Sequence, residues 1–268
     1  MPVTGRSVDA VDDPDRTWGE MLADWAIPQR LMDVVPESPY FFDPQVFISV
    51  ADDALARPDD TPSDRVAREV LGGGTVLDVA SGAGAASLRL GASRVTAVDS
   101  SAVLLAAFAD RAVAAGVRFD TVEGPWPDVA PRVATADVAV CHHVFYNVAD
   151  LAPFAAELTA HARRRVVVEL TAEHPMRWLA PYWQALHGLA QPDRPAADDA
   201  IAVLRDVGVD VHAERWRRRL QMIGELGPDR VDRMARRLCL PESRRPELRQ
   251  LLEEQPPPSQ RDVVTLWW

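Results

Sequence analysis

Between Thr75 and Leu170 the chain alternates short, nearly continuous apolar runs with alanine-rich or amphipathic stretches. Thr75–Ala80, Arg94–Val98, Val117–Val122, Ala136–Cys141 and Arg165–Leu170 each read as a strand. Ala85–Leu90 and Ser101–Ala115 read as helices closed by Gly91 and Gly116, and Asp150–Ala162 as a third helix. Strands that are apolar throughout are buried on both faces, the pattern of a parallel sheet with helices on either side. Beyond Leu170 come a helix over Ala197–Asp206, a strand over Val209–Trp216, a mostly helical stretch over Ile223–Glu254 and a last strand over Asp262–Trp268.

The first seventy residues have a different pattern. The chain up to Asp15 is polar and acidic with no apolar signal core, and disorder is expected there. Trp18, Met21, Leu22 and Trp25 fall at helical spacing between Trp18 and Met32, and Pro28 and Pro36 punctuate the segment. The aromatic, proline-flanked run Ser38–Pro44 leads into a helix over Pro44–Ala56, a loop over Asp59–Ser63 and a helix over Asp64–Leu71 that stops at Gly72-Gly73-Gly74. The expected division is a tail and helical cap over 1–70 and one α/β domain over 71–268, with helical insertions at about 172–195 and 220–258.

Composition narrows the classes. A formal net charge of −11 disfavours a general nucleic-acid binder, which needs a positive surface. All 29 basic residues are arginine, so arginine abundance is a property of the whole chain and not a sign of one site. Eleven arginines and five acids between Arg215 and Arg249 read as a solvated, ion-paired helical face, with an RNA- or acid-binding patch as the sharper alternative. Cys141 and Cys239 are too few for a disulfide framework or a cysteine zinc site, and no metal is expected. No stretch approaches the ~20 apolar residues of a membrane span, and a cytoplasmic location is the default. Oligomeric state is not legible.

The segment Val76-Leu77-Asp78-Val79-Ala80-Ser81-Gly82-Ala83-Gly84 is a strand running into a glycine turn. Gly82 and Gly84 permit a tight turn and the close approach of a ligand to the main chain, and a helix N-terminus beyond would aim unpaired N–H groups at it. Asp78 lies four residues before Gly82, inside the strand, where an acid is costly without partners. Asp99 lies 17 residues past Gly82, at the tip of the next strand, where a carboxylate is placed to accept ribose hydroxyls.

With Asp78, Gly82-Ala83-Gly84 and Asp99 in this order, the sequence resembles the class I S-adenosylmethionine-dependent methyltransferase superfamily, over about Leu71–Trp216 and again in the last strand. The resemblance implies a seven-stranded, mostly parallel Rossmann-like sheet with helices on both faces and an antiparallel final strand. It implies S-adenosylmethionine as cofactor, held by Asp78, Ser81, Gly82, Ala83, Gly84, Asp99, Ser100, Gly124, Trp126 and His142. A nicotinamide-binding fold fits less well: Ser87 stands at the last fingerprint glycine and Asp78 interrupts the strand. One departure is Pro125, where the family often has an acid for the adenine. Trp126 is placed either to stack on the adenine or to pack under the sheet.

Methyl transfer from a sulfonium is an in-line displacement, so the protein must position the nucleophile and, for some acceptors, remove its proton. The run Cys141-His142-His143-Val144-Phe145-Tyr146-Asn147 follows the fourth strand, at the carboxyl edge where such sheets bind ligands. His142 or His143 is the candidate general base, against the plainer reading of loop histidines without proton transfer. Tyr146, Asn147, Glu173, Trp178 and Tyr182 are candidates for the substrate side, with Tyr40 and Phe41 closing it from the cap. The expected reaction is methylation of a small molecule; the alternatives are an RNA or protein methyltransferase, or a module that binds the cofactor without turnover.

Overall fold

The computed structural model describes residues 16–57, 60–219 and 228–268. The tail expected to be disordered and the start of the helical stretch expected over Ile223–Glu254 lie outside these residues.

In the cap, Thr17 and Glu20 form a capping box on α1 (Trp18–Ala23), Pro28 opens α2 (Gln29–Met32), and Asp43 caps α3 (Pro44–Ala56). A second capping box, Thr61 with Asp64, starts α4 (Pro62–Leu71), and Gly72 ends it with φ +54°. Then follow β1 (Thr75–Val79), β2 (Arg94–Asp99), α5 (Ala102–Ala114), β3 (Arg118–Glu123), β4 (Ala136–His142), α6 (Leu151–His161) and β5 (Ala162–Thr171). The chain ends with α7 (Ala180–His187), α8 (Ala197–Asp206), β6 (His212–Arg219), α9 (Pro228–Arg237), α10 (Arg245–Glu254) and β7 (Gln260–Trp267).

The strands form one sheet in the order β3-β2-β1-β4-β5-β7-β6. β1 pairs in parallel with both β2 and β4, so strand order reverses between β1 and β4. β7 runs antiparallel to β5 and to β6, as expected for the final strand. One face of the sheet, with Leu77, Val79, Ala139 and Val168, packs against α6 and α8. The other, with Val76, Val95, Val140 and Val167, packs against α4 and α5.

The structure changes the expected picture in two places. The helix expected over Ala85–Leu90 is a run of turns, with one helical bond from Leu88 N–H to the Gly84 carbonyl. Nine residues separate Gly84 from Arg94. As a helix they would rise only about 13 Å, while the strand they must retrace is about 20 Å long. Second, the cap and the insertions are not separate additions. Leu179, Tyr182 and Trp183 of the first insertion, Met234 and Leu238 of α9, and Leu248 and Leu252 of α10 share one core with Ile27, Leu31 and Val35 of the cap.

Candidate cofactor and acceptor site

The carboxyl ends of β1 and β2 are tied together at Asp99. Its Oδ2 accepts from Gly82 N–H at 2.8 Å, its Oδ1 from Ser101 N–H at 2.9 Å, and its carbonyl from Gly124 N–H at 3.0 Å. Ser81 N–H bonds the Val98 carbonyl at 3.0 Å, completing the closure of the loop onto β2. Each Asp99 oxygen retains acceptor capacity beyond its main-chain bond. Gly82 (φ +52°) and Gly84 (φ +94°) both occupy conformations open to glycine. They differ in what surrounds them. A Cβ on Gly84 would stand 2.4 Å from Leu88 and 3.0 Å from Phe108, so that glycine permits packing. A Cβ on Gly82 would meet nothing within 4 Å, so open space adjoins the loop there.

Asp78 is 1 % exposed. Burial pushes its carboxyl up to about 7, against the opposing bond that Ser87 Oγ donates to Oδ2. Its Oδ1 is buried with no hydrogen-bond partner among the described residues. A buried acceptor without a donor is unfavourable, and a cationic or N–H-bearing ligand beside the loop would relieve it. The residues therefore fit a cofactor with an ammonium group and ribose hydroxyls, with Asp78 and the loop toward the first and Asp99 toward the second.

Ala83 is buried and packs on Ala51 of α3 and Ala107 of α5, so it positions the loop from beneath. Ser100 is exposed and Gly124 (φ +141°) bends the chain away from β3. Trp126 is a correction: its ring lies in the core, edge-on to His161 at 5.0 Å, and its indole N–H reaches the Phe154 carbonyl at 3.4 Å. A ring committed in this way packs under the sheet.

After β4, His142, Glu169 of β5, Thr265 of β7 and Glu214 of β6 stand on successive partner positions of adjacent strands, hence on one face of the sheet. Glu169 is 2 % exposed and at the centre of a buried polar cluster. Its Oε2 accepts from Ser63 Oγ at 2.7 Å, in the first turn of α4, where the helix dipole also favours an anion. Its Oε1 lies 3.0 Å from His143 Nε2 and accepts from Arg218. Thr265 Oγ1 meets Ser63 Oγ at 2.7 Å and accepts from Trp216 Nε1 at 3.0 Å. Burial alone would raise the Glu169 carboxyl; the His143 bond and the His142 and Arg218 charges reverse this and hold it well below the usual range. His143, at φ +61°, turns its half-exposed ring onto this carboxylate. His143 Nε2 faces both this carboxylate and, at 3.1 Å, the Arg218 guanidinium: with a hydrogen it donates to Glu169, and without one it accepts from Arg218. His142 is different: burial lowers its basicity and its Nε2 has no partner among the described residues.

Several expected substrate residues are structural. Tyr146 is buried, donates to the Thr171 carbonyl at 2.9 Å and packs on Trp18 and His174, and burial pushes its hydroxyl well above its ordinary value. Tyr182 is 2 % exposed and its hydroxyl lies 2.5 Å from the Gln255 carbonyl. Trp178 stands edge-on to Tyr182 at the border of the same helical core. Asn147 and Glu173 are exposed. Tyr40 accepts from Ile27 N–H at 2.9 Å, and Phe41 and Phe42 lie under Arg236 and Arg237 of α9, so this aromatic strip joins the cap to the insertion. Ser63, Ser87, Thr265 and Arg218 were not anticipated. An acid inside the apolar run Arg-Val-Val-Val-Glu-Leu was the available signal for the cluster. A groove of about 780 Å³ lined by Thr159, Arg164, His212 and Trp268 lies at the opposite, amino edge of β5 and takes no part in this site.

Residues 76–165 match the family model described as a methyltransferase domain. Over these residues the chain is similar to a methyltransferase domain, and the strand order and the Asp78–Gly82–Asp99 geometry fit that likeness. No curated protein sequence matches it. Among solved structures, it is similar to an S-adenosylmethionine-dependent methyltransferase from Geobacter sulfurreducens in complex with S-adenosyl-L-homocysteine. The identity is 17%, over 84% of this chain and 98% of that one, with a TM-score of 0.51. It is also similar to a cyclopropane-fatty-acyl-phospholipid synthase-like protein from Lactobacillus casei, at 15% identity over 89% and 97% of the two chains and a TM-score of 0.53. At such identities the likeness is one of fold, and it leaves the acceptor of this methyltransferase to be argued from its own residues.

Proposed function

We propose that this methyltransferase transfers the methyl group of S-adenosylmethionine to a small molecule at the carboxyl edge between β1 and β4. The observation that carries the reading is the glycine loop locked to Asp99 beside a buried Asp78 whose Oδ1 lacks a donor among the described residues. Asp99 binds the ribose hydroxyls, and Asp78 with Ser81 and Gly82 faces the methionine part. The cofactor supplies the electrophile; the chain supplies position and, for an acceptor that must lose a proton, His143 with its ring oriented by Glu169 and Arg218. Residues 71–268 form the catalytic unit, and the helices within 16–70 its cap.

A small acceptor is favoured by the cover over this edge. Trp18 and Tyr146 stack the cap on the loop after β4, and Trp25 lies on His174 at 3.7 Å. A net charge of −11 and the ion-paired arginines of α9 and α10 disfavour a nucleic-acid acceptor. Among the described residues no helix is long and apolar enough to cross a membrane, and both cysteines are buried free thiols, in keeping with action in the cytoplasm. Calorimetry with S-adenosylmethionine and S-adenosyl-L-homocysteine tests the reading: binding of both is expected, and binding of neither overturns it. Release of the demethylated cofactor in the presence of candidate acceptors separates turnover from binding alone.

A further inference from the structure

The cross-strand register of β6 and β7 sets Arg218 opposite Arg261. Directly opposed like charges destabilise a sheet. The neighbouring rung shows the alternative, since Arg217 opposite Asp262 forms an ion pair at 2.8 Å. Arg218 is engaged by Glu169 and His143. Among the described residues, Arg261 is partly buried yet makes no ion pair or side-chain hydrogen bond, and Arg57, just past the end of α3, donates only to the Asp53 carbonyl at 3.3 Å. Burial, with the charge of Arg218, pushes the Arg261 guanidinium down to about 10 and also lowers that of Arg57. Arg218 and Arg261 thus stand side by side, with Arg57 within the electrostatic reach of Arg218, on an edge whose buried carboxylates are already engaged: Glu169 by Ser63, His143 and Arg218, and Asp64 by Thr61 and Arg89.

We propose that Arg57 and Arg261, beside Arg218, hold the anionic group of the acceptor, a carboxylate or a phosphate, at the carboxyl end of β6 and the amino end of β7. A guanidinium fork matches either anion in bidentate fashion, and a bound anion would remove the repulsion between the opposed arginines. Arg218 NH1 lies 3.1 Å from His143 Nε2, so an acceptor anchored here presents its body to the proposed base. The word acceptor rests on the methyl-transfer reading; the anion site itself does not.

The test uses the full chain. Inorganic phosphate and, separately, acetate are titrated against chloride at equal ionic strength while thermal unfolding is followed, in the wild type and in Arg261→Gln and Arg57→Gln. Affinity for S-adenosylmethionine is measured on the same samples. One of the two anions is expected to raise the wild-type Tm above the chloride control, and the one that does so names the group. Its affinity falls about tenfold or more in each variant. Without anion, Arg261→Gln is at least as stable as the wild type, because a like-charge pair is gone, so a folding defect does not mimic the result. No increment in the wild type, or an equal one in both variants, overturns the proposal. An increment that behaves as expected in protein that fails to bind S-adenosylmethionine leaves the anion site standing and removes the methyl-transfer reading.

Discussion

Ser87 Oγ donates to Asp78 Oδ2 at 2.5 Å, nine residues along the chain and across the glycine loop. The position where a dinucleotide-binding loop would carry a third glycine therefore serves the strand acid. The same bond leaves Oδ1 without a donor in a site that burial makes unfavourable for charge. The loop and the acid form one device: the turns that replace the helix expected over Ala85–Leu90 bring Ser87 back onto Asp78.

A pH dependence of cofactor binding follows. The Asp78 carboxyl is raised to about 7, so below that pH it is mostly neutral and above it carries the charge that attracts an ammonium group. Affinity for S-adenosylmethionine is expected to rise with pH through about 7 and then level, with proton release on binding below it. Calorimetry between pH 5.5 and pH 8.5, in buffers of different ionisation enthalpy, reads both. Asp78→Asn is expected to flatten the dependence; a wild type as flat as this variant removes Asp78 from the cofactor's field.

Asp99 joins Gly82, Ser101 and Gly124. Asp99→Ala is expected to weaken cofactor binding by on the order of 2–3 kcal/mol through the loss of charge-assisted hydrogen bonds. Asp99→Asn keeps one acceptor and is expected to lose less. Equal affinity in the wild type and Asp99→Ala would take the residue out of the site.

The central strands β1, β2, β4 and β5 were legible because their runs are largely apolar and buried, and the cofactor loop because Asp78, Gly82 and Asp99 are fixed by spacing along two neighbouring strands. What was not legible depends on separation. Ser63 meets Glu169 across 106 residues, and Arg218 meets Glu169 across 49. Neither distance leaves a periodic trace. Tyr146 and Tyr182 look like pocket aromatics in sequence, yet their hydroxyls close onto the Thr171 and Gln255 carbonyls, which only the packing decides. The helix expected over Ala85–Leu90 failed on length: the nine residues between Gly84 and Arg94 do not have the reach if helical.

Trp126 separates two roles cleanly. As a core residue at 9 % exposure it predicts that Trp126→Ala costs about 3–5 kcal/mol of stability. Trp126→Phe keeps most of the apolar volume and is expected to cost less. Cofactor affinity of the Phe variant is expected to match the wild type, since the ring packs on His161 and Phe154 and not on the adenine. A large loss of affinity in the stably folded Phe variant would restore the stacking role.

His174 lies under Trp25 at 3.7 Å, and burial pushes its pKa down to about 3 from 6.5. Between these values the unfolded chain binds a proton that the native protein does not, so the contribution of this residue to stability falls as pH drops below about 6.5 and continues to fall toward 3. Carboxylates elsewhere also titrate at the lower end, so the comparison is between the wild type and His174→Phe, which retains a ring beneath Trp25 and cannot be protonated. Losing the bond that Met176 N–H makes to His174 Nδ1 gives the variant an offset that does not depend on pH above 7. From pH 7.5 to pH 5.0 the wild type is expected to lose on the order of 1–2 kcal/mol relative to the variant. Denaturant midpoints at the two pH values, with equal slopes, read the difference. The same gap at both would show that His174 titrates at its ordinary value and that the cap does not close over it in solution.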